Sequence, residues 1–130
     1  MSHFTKIKTS LRKKEELLEA LQLLQYDVEV DKNLEITNPS HAHDHELVQA
    51  DIALKNDIGF RWNQQEQCYD LYADHQTWDL DVPVKRFVEK VTQQYARMTV
   101  HNTVKEMGFV VEDEWEMDDN SIELTVTRWV

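Results

Sequence analysis

The apolar residues of this sequence recur at the spacing of a strand, then a helix, then several strands, then a long helix, then two final strands. That order narrows the architectures open to the chain. Residues 4–10 alternate, with Phe4, Lys6, Lys8 and Ser10 on one side and Thr5, Ile7 and Thr9 on the other, a strand pattern. Ser10 is placed to cap the helix that follows. Leu17, Leu21 and Leu24 share a stripe widened by Leu18 and Ala20, so residues 11–25 read as an amphipathic helix. Tyr26, Val28 and Val30 alternate in a strand that continues, or pairs, through residues 34–37 before Asn38 and Pro39 break the pattern. Residues 48–54 put Val48, Ala50, Ile52 and Leu54 on one face. Residues 58–62 and 68–72 are two more strands across a polar loop, and 109–117 and 122–129 close the chain as a pair. In that pair Phe109 and Val111, with Asp113 or Trp115, face inward beside Ile122, Leu124 and Val126. The fold expected is α+β: a single antiparallel sheet of about five to seven strands with two helices on one face.

The second helix carries a puzzle. Pro83 suits its first turn and Gly108 can stop it in a left-handed conformation. Phe87, Val88, Val91, Tyr95 and Met98 cluster on one side of a helical wheel, whereas Ala96, Val100, Val104 and Met107 cluster on the other. One straight helix cannot hold both sets against one sheet. Either it breaks or bends between Gln93 and Thr99, the reading favoured here, or its halves bury against different surfaces. The second case brings in a partner chain and hence a homo-oligomer. A weaker pattern is an internal echo: residues 24–36 and 107–124 both run from a helix end through an aromatic residue and an acidic alternating strand to a turn and a further strand.

At 130 residues the chain is one domain, 1–130, long enough to bury a core without disulfides or metal. The single cysteine excludes a disulfide framework and fits a reducing compartment. No apolar run approaches the roughly 20 residues that span a bilayer. Twenty-five acids against fourteen bases, a net charge of −11, argue against general nucleic-acid binding or an anionic membrane surface. Glycine is too scarce for a phosphate-cradling loop.

Charge is also uneven along the chain. Lys6, Lys8, Arg12, Lys13 and Lys14 fall in the first fourteen residues with no acid among them. Residues 109–123 hold Glu112, Asp113, Glu114, Glu116, Asp118, Asp119 and Glu123 with no base. Alternation puts many of these acids on an exposed strand face, with Trp115 among or opposite them, a surface suited to a basic protein partner. Glu112, Glu114, Trp115 and Glu116 are the expected partner-binding residues.

Residues 40–46 place His41, His43 and His45 at alternate positions with Asp44 and Glu46 interleaved. In extended chain the imidazoles stand roughly 6.5–7 Å apart on one side. That spacing suits two ligands of one zinc or nickel ion, bound adventitiously, in a tract whose simplest reading is a solvated polar loop. Cys68 with His75 or His101 could be drawn as nucleophile and base, but Cys68 lies in an apolar strand and reads as an inert buried thiol. Asp70, Asp74, Asp79 and Asp81 match no metal-loop spacing and read as caps and turns. Trp62, Trp78 and Trp129 read as core or sheet-face residues.

A family resemblance runs through the same residues. The opening Met1-Ser2-His3-Phe4-Thr5-Lys6-Ile7-Lys8-Thr9, the central Asp57-Ile58-Gly59-Phe60-Arg61, Tyr69-Asp70-Leu71 followed by Ala73-Asp74, the Tyr95-Ala96 pair, and Gly108-Phe109 through Arg128-Trp129 match it in order. They resemble the hypothetical chloroplast reading-frame family, number thirty-five, of algal plastids and cyanobacteria. The resemblance implies a small soluble protein of cytoplasm or plastid stroma and supplies no catalytic residue. The chain departs from the pattern at Gln25, where the family carries glycine, and in the histidine tract. The expected function is a non-enzymatic interaction or assembly protein meeting a protein partner through its acidic hairpin. The alternative is a metal-binding protein or small metal-dependent enzyme using His41, His43 and His45.

Overall fold

The computed structural model describes residues 4–37, 47–55, 57–119 and 121–128. In chain order the elements are β1 (Thr5–Lys8), α1 (Lys14–Leu23), β2 (Glu29–Thr37), β3 (Leu47–Lys55), β4 (Ile58–Asn63), β5 (Cys68–Ala73), α2 (Val84–Glu106), β6 (Phe109–Glu116) and β7 (Ile122–Arg128). The fold is α+β. Strands β1-β5-β4-β3-β2 form one antiparallel sheet, and β6 and β7 pair as a separate hairpin rather than extending it.

Both helices cover one face of the five-stranded sheet. Leu17 and Leu21 of α1 and Phe87 and Val91 of α2 are buried with Ile52, Ile58, Phe60, Tyr69, Leu71 and Ala73. Phe87 is the hub: Tyr26 and Trp78 meet its ring edge-on at 5.3 and 5.4 Å, and Phe60 lies at 6.5 Å. Such aromatic contacts add to the stabilisation that area burial alone provides. Leu11, ahead of α1, is also buried, and its carbonyl accepts the Tyr69 N–H at 2.8 Å.

Several local expectations are corrected. Ser10 does not cap α1, which begins after Lys13 and has no side-chain cap. Instead, the N–H groups of Arg12 and Lys13 donate to the Tyr95 hydroxyl on α2 at 3.1 and 2.9 Å, so the neighbouring helix satisfies donors that a local cap would have taken. Of the two alternatives for residues 26–37 the strand continues rather than pairs: Glu29–Thr37 is one strand with an irregularity between Val30 and Leu34, which removes the internal echo. The inward set of β3 is also divided. Ile52 and Leu54 join the helix-side core, whereas Val48 and Ala50 pack with Ile36 on the opposite face. The change falls at Asp51, whose carboxylate accepts the Trp62 N–H at 2.7 Å, and the strands are irregular again between Ala53 and Lys55.

Helix α2 is uninterrupted for 23 residues, so the chain does not divide there into two helices. Its two apolar stripes meet different environments: Phe87 and Val91 are buried against the sheet, whereas Ala96, Val100 and Met107 of the second stripe remain exposed. The chain's own hairpin lies against that second side and covers it only in part.

Candidate functional site

The docking of the hairpin on α2 begins with the register of its strands. Phe109 and Val111 lie opposite Arg128 and Val126, but Glu112 is an extra residue, after which Glu114 and Glu116 lie opposite Leu124 and Ile122. A bulge of this kind inverts the alternation beyond it. Without it Trp115 would face the helix. With it, Glu114 turns inward and Trp115 faces solvent, 45% exposed.

Glu114 enters a polar clasp on α2. Arg97 and His101, one turn apart, both reach it: the Arg97 guanidinium grips both carboxylate oxygens, one at 3.2 Å, and His101 Nε2 lies 2.9 Å from Oε2. Gln94 Oε1 accepts a further bond from Arg97 at 3.3 Å, and Gln93 Nε2 donates to Glu116 at 3.0 Å. The Arg97 bond holds the Glu114 carboxyl below its ordinary 4.5, partial burial opposes the shift, and His101 adds to the lowering. The apolar part of the contact is less complete. Ala96 and Val100 on α2 and Ile122 and Leu124 on β7 line an open wedge of about 210 Å³.

The outer face of the hairpin has different chemistry. Trp115 Nε1–H donates to Glu123 across the strand pair at 2.9 Å, which fixes the indole against β7. Glu112, Asp113, Glu116, Asp118 and Asp119 are exposed around the hairpin. Ser121 donates to Asp119 from both its amide and its hydroxyl, which tightens the turn and lowers the Asp119 carboxyl below its ordinary value. Of the four expected partner-binding residues, Glu112, Trp115 and Glu116 are therefore on accessible surface. Glu114 is instead spent on holding the hairpin to the helix.

His41, His43 and His45 lie outside the described residues. Among the described residues, no three histidine, cysteine or carboxylate side chains come together as a metal site would require. Cys68 is buried on β5, whereas His101 belongs to the hairpin clasp and His75 is exposed, so no nucleophile–base pair forms. The four aspartates have separate structural partners. Asp70 accepts from Asn63 at 3.0 Å, Asp74 from the Gln76 amide at 2.9 Å, Asp79 from Lys55 at 2.8 Å and Asp81 from Tyr26 at 3.1 Å. Trp62 packs edge-on against Tyr69 at 5.0 Å, and Trp78 donates to the Val82 carbonyl at 2.7 Å. No helix among the described residues is long and apolar enough to cross a membrane.

Strict alternation missed the bulge and with it the clasp. A usable signal was present: Arg97 and His101 recur at helical spacing beside the second apolar stripe of α2, and such a pair suits a carboxylate opposite it.

Relatives match this chain over nearly its full length. The protein named uncharacterized protein ycf35 from Pyropia yezoensis is 32% identical over 133 residues, covering 99% of this chain and 98% of its own. The protein of the same name from Guillardia theta is 33% identical over 133 residues with the same coverage, and that from Cyanophora paradoxa 31% over 129 residues, again 99% and 98%. No solved structure matches the chain. The family described as a protein of unknown function, DUF1257, matches residues 20–125, which run from within α1 through the clasp into β7. With four of the five sheet strands, the long helix and most of the hairpin inside that match, the chain belongs to this family.

Proposed function

We propose that the chain is a non-enzymatic interaction or assembly protein of cytoplasm or plastid stroma, and that it meets a protein partner through the outer face of the β6–β7 hairpin. One observation carries the reading. Trp115 stands out from the hairpin, tethered by Glu123 and surrounded by exposed acids, in a stretch from 109 to 123 without a base. An indole held in one orientation loses little freedom on binding, which suits it as an anchor. Acids around an apolar anchor favour a partner whose apolar pocket is rimmed by lysine or arginine. The hairpin also lies apart from the main core, so contact at its outer face need not disturb the sheet.

Capture by immobilised chain from an extract of a plastid-bearing alga tests this directly. A partner retained by the unaltered chain is expected to be lost by Trp115→Ala. It should be weakened by combined Glu112→Gln and Glu116→Gln. Equal capture by all three proteins contradicts the reading.

A second reading rests on the alternation of His41, His43 and His45 with Asp44 and Glu46. Metal analysis of untagged protein separates the two. A stoichiometric zinc or nickel ion lost on triple alanine substitution of those histidines would replace the interaction reading with a metal-binding one; protein without such an ion contradicts the second reading.

A further inference from the structure

The two sheets present four outer edges, and three of them carry features that deter pairing with another strand. β1 is four residues long and bears Lys6 and Lys8. β2 carries Glu29, Asp31 and Glu35 and is irregular between Val30 and Leu34. β6 carries Glu112, Asp113, Glu114 and Glu116 and the bulge. Short length, charge and bulges are the usual guards of a sheet edge. β7 is different. It runs regularly through Ile122, Glu123, Leu124, Thr125, Val126, Thr127 and Arg128, is rich in β-branched residues, and pairs among the described residues with β6 alone. Beside it lies the apolar wedge against α2, with Val100 45% and Val126 37% exposed. A two-stranded sheet is also marginal by itself and gains from a further strand.

We infer that β7 is a self-association edge, at which a second copy of this chain adds its own β7 antiparallel about a two-fold axis through Thr125. The strand is complementary to itself in that register. Leu124 meets Val126 of the second copy and Ile122 meets its Arg128, all on the helix-facing side. Glu123 meets Thr127 of the second copy and Thr125 meets Thr125 on the outer side, so no like charges stand opposite each other. Antiparallel pairing about a perpendicular two-fold keeps both faces in place. Both α2 helices then cover one side of a four-stranded sheet, and the wedge of each copy lies beside Val126 of the other. Two chains of net charge −11 repel at long range. Dimerisation therefore strengthens as salt rises, opposite to capture of a basic partner through the acidic face. The inference does not depend on that partner.

Sedimentation of the full chain across concentration and salt provides the test, with two variants that alter net charge identically. Thr127→Lys places a lysine opposite Glu123 of the second copy, twice per dimer, and is expected to strengthen dimerisation by roughly three- to thirty-fold. Thr125→Lys places lysine against lysine on the two-fold axis and is expected to weaken it by a similar factor. Within one chain Thr125 lies opposite Asp113 and Thr127 opposite Val110, and both are exposed, so neither substitution opposes like charges in the hairpin. A chain that stays monomeric at all salts overturns the inference. So do variants that shift together, as a general charge effect would make them, or species larger than a dimer.

Discussion

Gln25 holds a backbone conformation that most side chains disfavour, at φ 67°. It ends α1: its own N–H reaches the Gln22 carbonyl at 2.9 Å and the Tyr26 N–H reaches Leu21 at 3.0 Å, a pattern that needs a left-handed residue between them. The family resemblance carries glycine there, and geometry supplies the reason. Gln25→Gly is expected to stabilise the protein by about 1 kcal/mol, read as a higher urea midpoint at unchanged slope; a lower midpoint would contradict this. Gly59 presents the reverse case. A Cβ there would lie 3.0 Å from both the Ala50 Cβ and the Ile52 carbonyl oxygen, a close approach set by the strand crossing. Gly59→Ala is expected to cost about 1–3 kcal/mol through forced displacement of β3. A thermal midpoint matching the unaltered protein would show that the sheet adjusts freely. Single residues were legible where chemistry and backbone agree, as at Gly108 with φ 85°. They were not where a distant group substitutes for a local one, as Tyr95 does for Ser10 at the start of α1.

Periodicity identified both helices and most strand positions, because each element buries one stripe or one face. It failed where a bulge changed the phase. Ile122, Leu124 and Val126 sit on the inward side as expected, whereas in β6 the inward set changes at Glu112 from Phe109 and Val111 to Glu114 and Glu116. The two-sided pattern of α2 was legible as a conflict, but its resolution was not. Knowing that the chain's own hairpin supplies the second surface requires the tertiary arrangement. The clasp makes a specific claim about this element. Glu114→Gln leaves Arg97 and His101 without their carboxylate and is expected to loosen the hairpin by about 1–2 kcal/mol, with the main core intact. Hydrogen exchange should then rise at β6 and β7 amides and not at β4 and β5. Uniformly faster exchange would mean that the hairpin and core unfold as one unit. The pH dependence follows from the lowered Glu114 carboxyl. A carboxylate whose folded value lies below its unfolded 4.5 contributes stability fully present above that value and lost as pH falls through the lower one. Hairpin protection should therefore persist through pH 5 and decline in more acidic solution. In Glu114→Gln that decline should be smaller.

For the whole molecule, the arrangement separates the five-stranded sheet and its two helices from a two-stranded hairpin. Leu17, Leu21, Phe60, Phe87 and Leu71 lock the sheet beneath both helices, while the hairpin touches that body through α2, with Glu114 in the contact and Glu112, Asp113 and Trp115 exposed. The acidic balance and the segment from 109 to 123 were readable from the sequence, whereas Trp115 was open to both an inward and an exposed reading until the bulge decided it. The division of labour among the acids was not, since Glu114 and Glu116 share one strand face and Glu114 is the one held by both Arg97 and His101. The central claim is that the outer hairpin face captures a basic protein partner, with the acids accelerating encounter and Trp115 holding the complex. The association and dissociation rates of the partner recovered by capture, measured across ionic strength, test it most directly. The account predicts that Glu112→Gln with Glu116→Gln slows association and flattens its fall above roughly 0.1 M salt, while Trp115→Ala mainly speeds dissociation. Rates unchanged in both variants, or association that does not respond to salt, would contradict it.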